Sequence, residues 1–561
     1  MAGTILTPTA IWKNYVDQTE FTVQVLNQKQ YGDTLAESFY LNGRDVQDGT
    51  VKIFCELTRV TGRDNSPAIL LLQDFSAPID HQLVSDLVNR GYSVLTVDLA
   101  GHKEHKEFFT VYPESIGYAN FERVLDSLYA VEDDATKTCW YEWAHATRTA
   151  LGYLKTLPFV SKVGGLAIGE SATVMWQVAG TDKNLDSAVF VFNAGWTGYR
   201  GMQKFSTEKE PQFSDSMYKF IAGIDAQSYA MHVKCPTLIL CATNNAVYDF
   251  DRAFDTLSYI NESVYSAIHY SVGSIDEING SGYKTARVFF ERTLAKAEDA
   301  HFPADLEVKS QIEDGKFTFE VKVDQTGLKN VELYVSEQEL ISSKRSWHKI
   351  DFKKVIENVY MFEYSPYPTA GIITYFAVAN YQDGLSIGSN VMATRFEQND
   401  VAPLFKSNVI YSSREVGAEN TFFSASENLS SSKLAISENT AVSLKKGPMG
   451  ILGITGESEL TTFKVGCDRY RLPDGSMLMF DVYAKERSEL TIKLICDFFG
   501  EKREYSARVQ LLGGQVWNNI QLEMNKFKTE EGMALKSYEK VEALSFYVEN
   551  SDYLINNVLW V

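Results

Sequence analysis

The sequence has few of the residues that build disulfide frameworks or metal sites. Its six cysteines are scattered, and the chain contains neither a CxxC pair nor a paired spacing of cysteine and histidine. This pattern excludes the usual zinc motifs and favours buried free thiols in a reducing compartment. We therefore expect a cytoplasmic protein without a metal or another cofactor. The cysteines are Cys55, Cys139, Cys235, Cys241, Cys467 and Cys496.

Basic blocks and long apolar runs are also missing. The formal net charge is -20, so the surface is acidic, and nucleic acid and anionic membranes are poor partners. No apolar run is long enough to span a bilayer, and the segment from Met1 to Ala10 has neither a basic region nor a sustained apolar stretch. A soluble protein that is not exported is the expectation.

What the chain does have is enough apolar sequence for several cores. It contains 561 residues, of which 45% are hydrophobic, and this length favours three domains over one. Residues 1–65 alternate between apolar and polar side chains, which predicts antiparallel edge strands. From Ala68 onward, short continuous apolar runs such as Ala68 to Leu72 alternate with helical stretches, as in a parallel sheet covered on both faces. Residues 1–300 are therefore predicted to form a doubly wound, mostly parallel α/β domain.

The pattern changes to strands alone after residue 300. Segments such as Phe317 to Val323 alternate cleanly and are joined by turns rich in Asp, Gly and Asn. We predict an immunoglobulin-like β-sandwich over residues 301–400 and a jelly-roll sandwich over residues 401–561.

One stretch suggests a catalytic site. Val163 to Ile168 predicts a buried strand, and a helix is predicted after Ser171, with Gly169 two positions before the serine. A serine between a strand and a helix has the arrangement of a nucleophile elbow. In that arrangement Ser171 attacks the substrate, and the Ala172 N–H at the start of the helix stabilises the oxyanion.

The order of the motifs resembles bacterial α/β-hydrolases of the acetyl xylan esterase and cephalosporin deacetylase kind. The resemblance covers roughly Pro67 to Leu294, and the last domain looks like the galactose-binding-like or carbohydrate-binding sandwiches attached to carbohydrate-active enzymes. It implies a serine ester hydrolase acting on a small ester or a carbohydrate-related substrate. The motifs that carry it are Tyr92 to Gly101, the elbow at Ser171, Asn193 to Trp196, and Cys235 to Asn245.

The resemblance also implies further site residues, and the sequence departs from the family at several of them. The N–H of Phe75 would be the second oxyanion donor. Trp196 follows the carboxyl end of a predicted strand, so it is expected either to line a pocket over Ser171 or to pack in the core. Asn245 stands where the family usually carries the aspartate, and the loop around Gly273, after the last strand, contains no histidine. An asparagine can orient a neutral imidazole, but it cannot stabilise an imidazolium as a carboxylate does.

Among the eight histidines, His269 is the one near the end of the last predicted strand. If that strand stops early, His269 reaches Ser171 as the base; if it continues through Tyr270, the imidazole is an ordinary strand residue. Two hypotheses follow: an ester hydrolase using Ser171, His269 and Asn245, or a catalytically silent hydrolase fold that serves carbohydrate binding or assembly. The last β domain is expected to bind a glycan, or alternatively the β domains pack on the α/β domain and form a homo-oligomer interface.

Overall fold

The computed structural model of the chain describes residues 4–103, 106–295, 301–415, 417–425, 432–437, 442–457, 459–471, 473–549 and 551–561. Three regions follow one another: an α/β region (residues 4–295), a middle β region (residues 301–396) and a C-terminal β region (residues 409–561). Residues 296–300, where the first domain boundary was predicted, lie outside the described residues. In the part of the chain that is described, no helix is long and apolar enough to cross a membrane.

A mixed sheet forms the centre of the α/β region, and it confirms the predicted change from antiparallel to parallel strands. The strand order is β1-β2-β3-β5-β4-β6-β7-β8-β9, antiparallel up to the β3–β5 pair and parallel from the β5–β4 pair onward. The parallel strands are buried on both faces, which explains their continuous apolar runs. The strands are β1 (Val23–Tyr31), β2 (Thr34–Val46), β3 (Gly49–Val60), β4 (Ser66–Leu72), β5 (Ser93–Val97), β6 (Val160–Ile168), β7 (Ser187–Val191), β8 (Thr237–Ala242) and β9 (Ser266–Ser271).

Helices cover this sheet, and several of them begin at a side chain that accepts hydrogen bonds from their free N–H groups. Asp80 accepts hydrogen bonds from the N–H groups of Gln82 and Leu83, and Thr138 accepts one from the N–H of Tyr141. The helices are α1 (Pro8–Ile11), α2 (His81–Asn89), α3 (Phe121–Val124), α4 (Cys139–Thr156), α5 (Ser171–Thr181), α6 (Asp215–Gly223), α7 (Ala226–Ala230), α8 (Phe250–Leu257) and α9 (Gly280–Phe290), with a short strand β10 (Glu277–Ile278) just before α9.

The middle region consists of antiparallel sheets, consistent with the predicted β-sandwich. One sheet has the order β11-β12-β16-β15, and another has the order β14-β13-β17-β18 with β19 also paired to β17. Its strands are β11 (Glu307–Glu313), β12 (Lys316–Lys322), β13 (Leu328–Glu337), β14 (His348–Ile350), β15 (Phe352–Ile356), β16 (Val359–Tyr364), β17 (Ile372–Tyr381), β18 (Ser386–Gly388) and β19 (Met392–Arg395).

The C-terminal region is also built from antiparallel sheets, with the orders β23-β24-β31-β26-β29 and β21-β25-β30-β27-β28, while β20 pairs with β31. The aromatic side chains of Tyr538, Tyr553 and Trp560 are buried in its core, where they fill the space between the sheets. The strands are β20 (Val409–Tyr411), β21 (Phe423–Ala425), β22 (Lys433–Leu434), β23 (Val442–Lys446), β24 (Leu452–Gly456), β25 (Glu459–Thr462), β26 (Met477–Ala484), β27 (Ser488–Cys496), β28 (Arg503–Leu511), β29 (Asn518–Glu523), β30 (Ala543–Val548) and β31 (Tyr553–Trp560).

A buried ion pair joins the middle region to the α/β region. The Arg345 guanidinium donates from both terminal nitrogens to the two carboxylate oxygens of Asp251, at 2.5 and 2.8 Å. Both side chains are excluded from solvent, with exposures of 0% and 2%. The guanidinium also donates to the backbone oxygens of Glu339 and Leu340, so most of its donors are satisfied. Such bidentate geometry fixes the orientation of the two regions as well as their distance.

Removing Arg345 is expected to destabilise the protein strongly. Arg345→Met leaves the Asp251 carboxylate buried without its counter-charge, a loss of about 3–5 kcal/mol. Lys322→Met is the matched control, because it breaks an exposed pair with Glu307 whose partners are 52% and 59% exposed, and it costs at most about 1 kcal/mol. Urea unfolding of both variants at neutral pH measures the difference. Equal shifts of the unfolding midpoint would contradict this account of the ion pair.

A second charged cluster joins the middle and C-terminal regions. The carboxylate of Glu415 lies 3.7 Å from Nδ1 of His348 and 3.4 Å from Nζ of Lys464, whose side chain is fully buried. Burial raises the pKa of Glu415, but the neighbouring His348 imidazole and the charge of Lys464 outweigh it and lower that pKa to about 2.

This cluster predicts a defined dependence of stability on pH. Because the pKa of Glu415 in the folded state lies below its ordinary value of 4.5, the ionised carboxylate stabilises the fold above pH 4.5. That contribution is lost as the pH falls from 4.5 toward about 2. Thermal unfolding between pH 6 and pH 3 should therefore show a steeper fall in midpoint for the parent chain than for Glu415→Gln. Parallel curves for the two proteins would show that Glu415 does not contribute in this way.

Candidate functional site at the end of β6

The elbow is the turn from Ile168, the last residue of β6, to Ser171, the first residue of α5. Within it the left-handed backbone conformation falls on Gly169, with φ of +64°, whereas Glu170 has φ of −63°. Glycine adopts this conformation without steric cost, which explains why the turn places it there. The left-handed residue between strand and helix is thus Gly169, and the serine lies two positions further along.

Ser171 is not at the tip of the turn, which is the place expected for a nucleophile. Its side chain is completely buried in the first turn of α5. Its hydroxyl lies 3.0 Å from the carbonyl oxygen of Leu72 and 2.9 Å from that of Ile168, the last residues of β4 and β6. The hydroxyl therefore joins α5 to the ends of two strands through hydrogen bonds to backbone groups.

Asp74 takes up the position next to the tip of the elbow. Its Oδ2 accepts a hydrogen bond of 3.2 Å from the N–H of Glu170, and its Oδ1 accepts two from Ser76. A Cβ atom added to Gly169 would lie 1.9 Å from Oδ2 of Asp74, so a side chain there would displace the carboxylate. Burial raises the pKa of Asp74, against the lowering effect of the hydrogen bonds from Ser76 and Glu170.

One of the two predicted oxyanion donors, the N–H of Ala172, is used inside the turn, and the described contacts of Phe75 involve its ring and its carbonyl oxygen. The N–H of Ala172 donates to the carbonyl oxygen of Gly169 at 3.1 Å, inside the turn itself. Phe75 is a buried aromatic residue whose ring centroid lies 4.2 Å from that of Trp143, and its carbonyl oxygen accepts a hydrogen bond from Nζ of Lys103. The N–H that points from the elbow belongs instead to Glu170, and a carboxylate already accepts it.

A charged cluster above the elbow was missed by sequence reasoning. The Glu170 carboxylate accepts hydrogen bonds from the hydroxyl of Tyr129 at 2.5 Å, from Arg200 at 2.7 Å and from Nδ2 of Asn193 at 3.3 Å. The guanidinium of Arg200 also stacks 4.5 Å above the ring of Tyr129. Burial lowers the pKa of Arg200, but the charge of Glu170 outweighs this and the net shift is upward. These partners come from separate parts of the chain, so no local motif could have revealed them.

The structure does not bring His269 to Ser171. The strand β9 continues through Tyr270 to Ser271, so the imidazole is a strand residue, the second of the two expected outcomes. Nδ1 of His269 lies 3.2 Å from the carbonyl oxygen of Ser386 and 3.5 Å from Oγ1 of Thr285. Burial lowers the pKa of His269 to about 4, so the ring is neutral at pH 7.

Asn245 holds two loops together. Its Nδ2 donates to the carbonyl oxygen of Ile275 at 2.6 Å, and its Oδ1 accepts from the N–H groups of Val247 and Tyr248. The loop after β8 is thereby fixed to the loop after β9. Gly273, in that second loop, donates its N–H to Oγ1 of Thr243 at 2.9 Å.

Trp196 packs against α8. Its indole N–H donates to Oγ1 of Thr256 at 2.9 Å, and its ring lies 5.4 Å from that of Tyr199. The guanidinium of Arg252 lies 5.7 Å from the same indole. The contacts of Trp196 are therefore with α8 and its surroundings, whereas the pocket over Ser171 that was expected for it has no counterpart in these contacts.

A segment of the C-terminal region crosses over the elbow. β22 pairs in parallel with β10, through a hydrogen bond of 3.0 Å from the N–H of Lys433 to the carbonyl oxygen of Asp276. Ser432, directly before β22, would lie with its Oγ 3.0 Å from a Cβ atom on Gly169. The side chains of Ser432 and Asp74 thus both lie against Gly169 at the tip of the elbow.

No cluster of three or more His, Cys, Asp or Glu side chains suited to a metal ion occurs within the described residues. Burial raises the pKa of all six cysteines, the four in the α/β region being buried.

Comparison with known proteins finds likeness at the level of solved structures. No family model matches the sequence, and no curated protein matches it significantly. The acetyl xylan esterase from Paenibacillus sp. R4 is 12% identical with a TM-score of 0.39, over 51% of this chain and 92% of that one. Acetyl xylan esterase 1 from Thermoanaerobacterium sp. JW/SL YS485 is 13% identical with a TM-score of 0.37, over 51% and 95% of the two chains. An acylaminoacyl peptidase from Pyrococcus horikoshii is 11% identical with a TM-score of 0.35, over 50% and 51%.

The position of Asp74 predicts that Gly169 cannot accept a side chain. Gly169→Ala places an alanine in the left-handed backbone conformation, which costs roughly 1–2 kcal/mol. The added methyl group also forces the Asp74 carboxylate off the Glu170 N–H, so the free energy of unfolding falls by about 3 kcal/mol in total. Gly32→Ala is the matched control, because Gly32 has a similar φ of +61° with nothing within 4 Å of the added Cβ.

Chemical unfolding of both variants, and of each combined with Asp74→Ala, measures the coupling. We expect Asp74→Ala to recover part of the unfolding free energy that Gly169→Ala loses, and none of the unfolding free energy that Gly32→Ala loses. The geometry would be refuted if both glycine variants lost the same stability.

Proposed function

We propose that this chain is a catalytically silent α/β-hydrolase fold, in which the edge that would carry catalysis serves to dock the two β-sandwich regions. The observation that carries the proposal is the occupation of the elbow: Gly169 stands at its tip, and the Asp74 carboxylate accepts the N–H of Glu170. The strand order supports the finer description of the fold, since β3 is antiparallel to its neighbours and β5 precedes β4 in the sheet.

The electrostatics at the elbow oppose acyl transfer. An oxyanion hole works because preorganised N–H groups face the oxygen on which negative charge develops. Here the Glu170 N–H faces a carboxylate 3.2 Å away, so a second anion at that place would meet repulsion. The residual acceleration of roughly 10³ to 10⁴ that a hydrolase retains without its triad comes from this hole and from substrate binding. Filling the hole removes its contribution to that residual acceleration.

The loops that would hold the acid and the base make contacts between regions. Nδ2 of Asn244 donates to the carbonyl oxygen of Arg345 at 2.7 Å. The hydroxyl of Tyr270 donates to the carbonyl oxygen of Ser389 at 2.8 Å. His269 reaches Ser386 from the same strand, and Asp251 receives Arg345 just beyond the loop after β8. These contacts support an assembly role, with the immunoglobulin-like and jelly-roll sandwiches held by the hydrolase sheet.

The ester hydrolase predicted from the sequence is the competing proposal. It requires the hydroxyl of Ser171 to leave its backbone partners and to meet a base. A carbohydrate-related ligand and a homo-oligomer are compatible with either proposal.

A fluorophosphonate probe separates the two proposals, because it reacts with activated serines. We expect no labelling of the full chain under conditions that label a control serine hydrolase completely. Ser171→Ala should leave the labelling unchanged and lower the unfolding midpoint, since it deletes the hydroxyl that joins β4, β6 and α5. Stoichiometric labelling, mapped to Ser171 by mass spectrometry, would overturn the silent fold and establish the hydrolase.

A further inference from the structure

Three loops lie side by side at one end of the C-terminal region. They are the turn of the β23–β24 hairpin (residues 447–451), the connection between β26 and β27 (residues 485–487) and the connection between β28 and β29 (residues 512–517). The N–H of Gly514 donates to the carbonyl oxygen of Lys485 at 3.2 Å, and the indole N–H of Trp517 donates to the carbonyl oxygen of Pro448 at 3.3 Å. These hydrogen bonds connect the third loop to each of the other two.

The turn of the hairpin lies away from the contact with the other regions. Ser443 in β23 and Glu457 directly after β24 line a cavity that is shared with the α/β and middle regions. From Ser443 the strand β23 runs toward the turn, with a rise of about 3.3 Å per residue. The three loops therefore lie at the opposite end of the hairpin.

Two of these loops have apolar, exposed tips. The exposed fractions are 87% for Met449, 80% for Leu512, 55% for Val516 and 40% for Ile451, and we call these four residues the apolar tips. Single exposed apolar side chains are ordinary on a protein surface, whereas a group of them on adjoining loops indicates an interaction site.

The backbone of Met449 supports this interpretation. Its φ is +57°, in the left-handed region that is unfavourable for a residue with a Cβ atom. Because the side chain is exposed, it gains no stability from burial that would offset this cost. Stability of the fold therefore does not account for a methionine at this position, whereas contact with an apolar environment does.

Behind the apolar tips follow aromatic and then cationic side chains. A Cβ atom added to Gly447 or Gly453 would lie 2.8 Å from the indole of Trp517, so the ring lies directly on the backbone of the hairpin. The ring of Tyr483 lies 6.1 Å from that of Trp517. Tryptophan and tyrosine are favoured at the boundary between hydrocarbon and water in a bilayer.

The cations of the hairpin are Lys445 and Lys446, which end β23 and are exposed. Long lysine side chains reach the level of lipid headgroups while apolar neighbours enter the hydrocarbon. Apolar tips, an aromatic layer and lysines thus follow one another in the order that the surface of a bilayer requires.

The charge at the apolar tips differs in sign from that of the whole chain. Residues 442–456 and 509–522 contain no Asp or Glu, although the chain has 73 acidic residues. Carboxylates of the neighbouring connections face cations, with Asp552 3.8 Å from Lys485 and Glu489 3.8 Å from Arg508. The neighbouring charged residues are Lys485, Glu486, Arg487, Glu489, Arg508, Glu549 and Asp552.

The overall charge of -20 is the reason why anionic membranes were expected to be poor partners. Charges on the rest of the surface act weakly at the loops, because the Debye length is only about 8 Å at physiological salt. Lys445 and Lys446 therefore set the sign of the charge where the apolar tips are.

We propose that the apolar tips insert into the surface of an anionic phospholipid bilayer. Each loop exposes its own tip, so a fluid bilayer accommodates it without a matching pocket. Burial of the tips provides the attraction common to all bilayers, and Lys445 and Lys446 add the preference for anionic headgroups. The C-terminal region thereby attaches the chain to a membrane surface without spanning it.

Sedimentation of the full chain with vesicles tests the proposal. One set of vesicles contains phosphatidylcholine alone, and the other contains equal parts of phosphatidylcholine and phosphatidylglycerol. We expect the anionic vesicles to be bound at least about tenfold more tightly, since each lysine near an anionic surface contributes about fivefold. Added salt should weaken this preference, because it screens the charges. Equal binding to both sets, or no sedimentation with millimolar anionic lipid, would overturn the proposal.

A first pair of variants tests the apolar tips. Met449→Ser combined with Leu512→Ser should weaken binding to the anionic vesicles at least about tenfold, because two apolar side chains no longer enter the bilayer. Phe405→Ser is the matched control, since Phe405 is 95% exposed and lies outside the three loops, and it should leave the binding unchanged. An equal loss in the control would show that the loops are not the binding site.

A second pair tests the charge. Lys445→Gln combined with Lys446→Gln should abolish most of the preference for anionic vesicles and leave binding to neutral vesicles unchanged. Lys353→Gln combined with Lys354→Gln, on the exposed strand β15, should leave the preference as it is. If both double variants behaved alike, the two lysines of β23 would not be the source of the preference.

A second copy of this chain is the other candidate occupant of the apolar tips. Self-association in analytical ultracentrifugation that Met449→Ser and Leu512→Ser abolish, without vesicle binding, would replace the membrane proposal by a protein interface. The inference does not rest on the silent fold, because labelling of Ser171 would leave the vesicle measurements as they are.

Discussion

The buried ion pair between Arg345 and Asp251 is the constraint on which the arrangement of the regions depends. A guanidinium and a carboxylate without solvent can coexist only if their geometry is nearly ideal, because desolvation opposes their attraction. The bidentate contact and the backbone acceptors at Glu339 and Leu340 meet that condition. The pair therefore specifies one orientation of the middle region on the α/β region. Asn244, which donates to the backbone of Ser343 and Arg345, belongs to the same interface.

This interface uses the part of the sheet from which a hydrolase would present its acid and base. Loops after parallel strands are free to vary because the sheet holds their ends, so they commonly carry function. Here Asn245 joins the loops after β8 and β9, and His269 and Tyr270 bind backbone carbonyls of the middle region. A buried side chain that is held by such hydrogen bonds does not move freely enough to carry a proton to a substrate. In the function proposed above, these loops therefore serve to dock the middle region.

The sequence predicted the sheet well because its strands are specified locally. Continuous apolar runs such as Ala68 to Leu72 and Thr237 to Ala242 predict buried parallel strands, and both form them. The geometry of the elbow could not be predicted in the same way. A glycine and a serine two positions apart allow either residue to take the tip of the turn, and the choice depends on what lies opposite. That neighbour is Asp74, which is 95 residues before Gly169 and whose hydrogen bonds no local pattern encodes.

A cavity of about 730 Å³ where the three regions meet could not be predicted from the sequence at all. Each of its walls is an ordinary loop or strand end of one region, and its excess of carboxylates arises only when the three regions meet. Glu419 and Glu457 come from the C-terminal region, Glu332 from the middle region, and Asp276 from the loop before α9. Bringing like charges together opposes docking, so another interaction must offset it. The Arg345–Asp251 pair and the pairing of β22 with β10 supply that attraction.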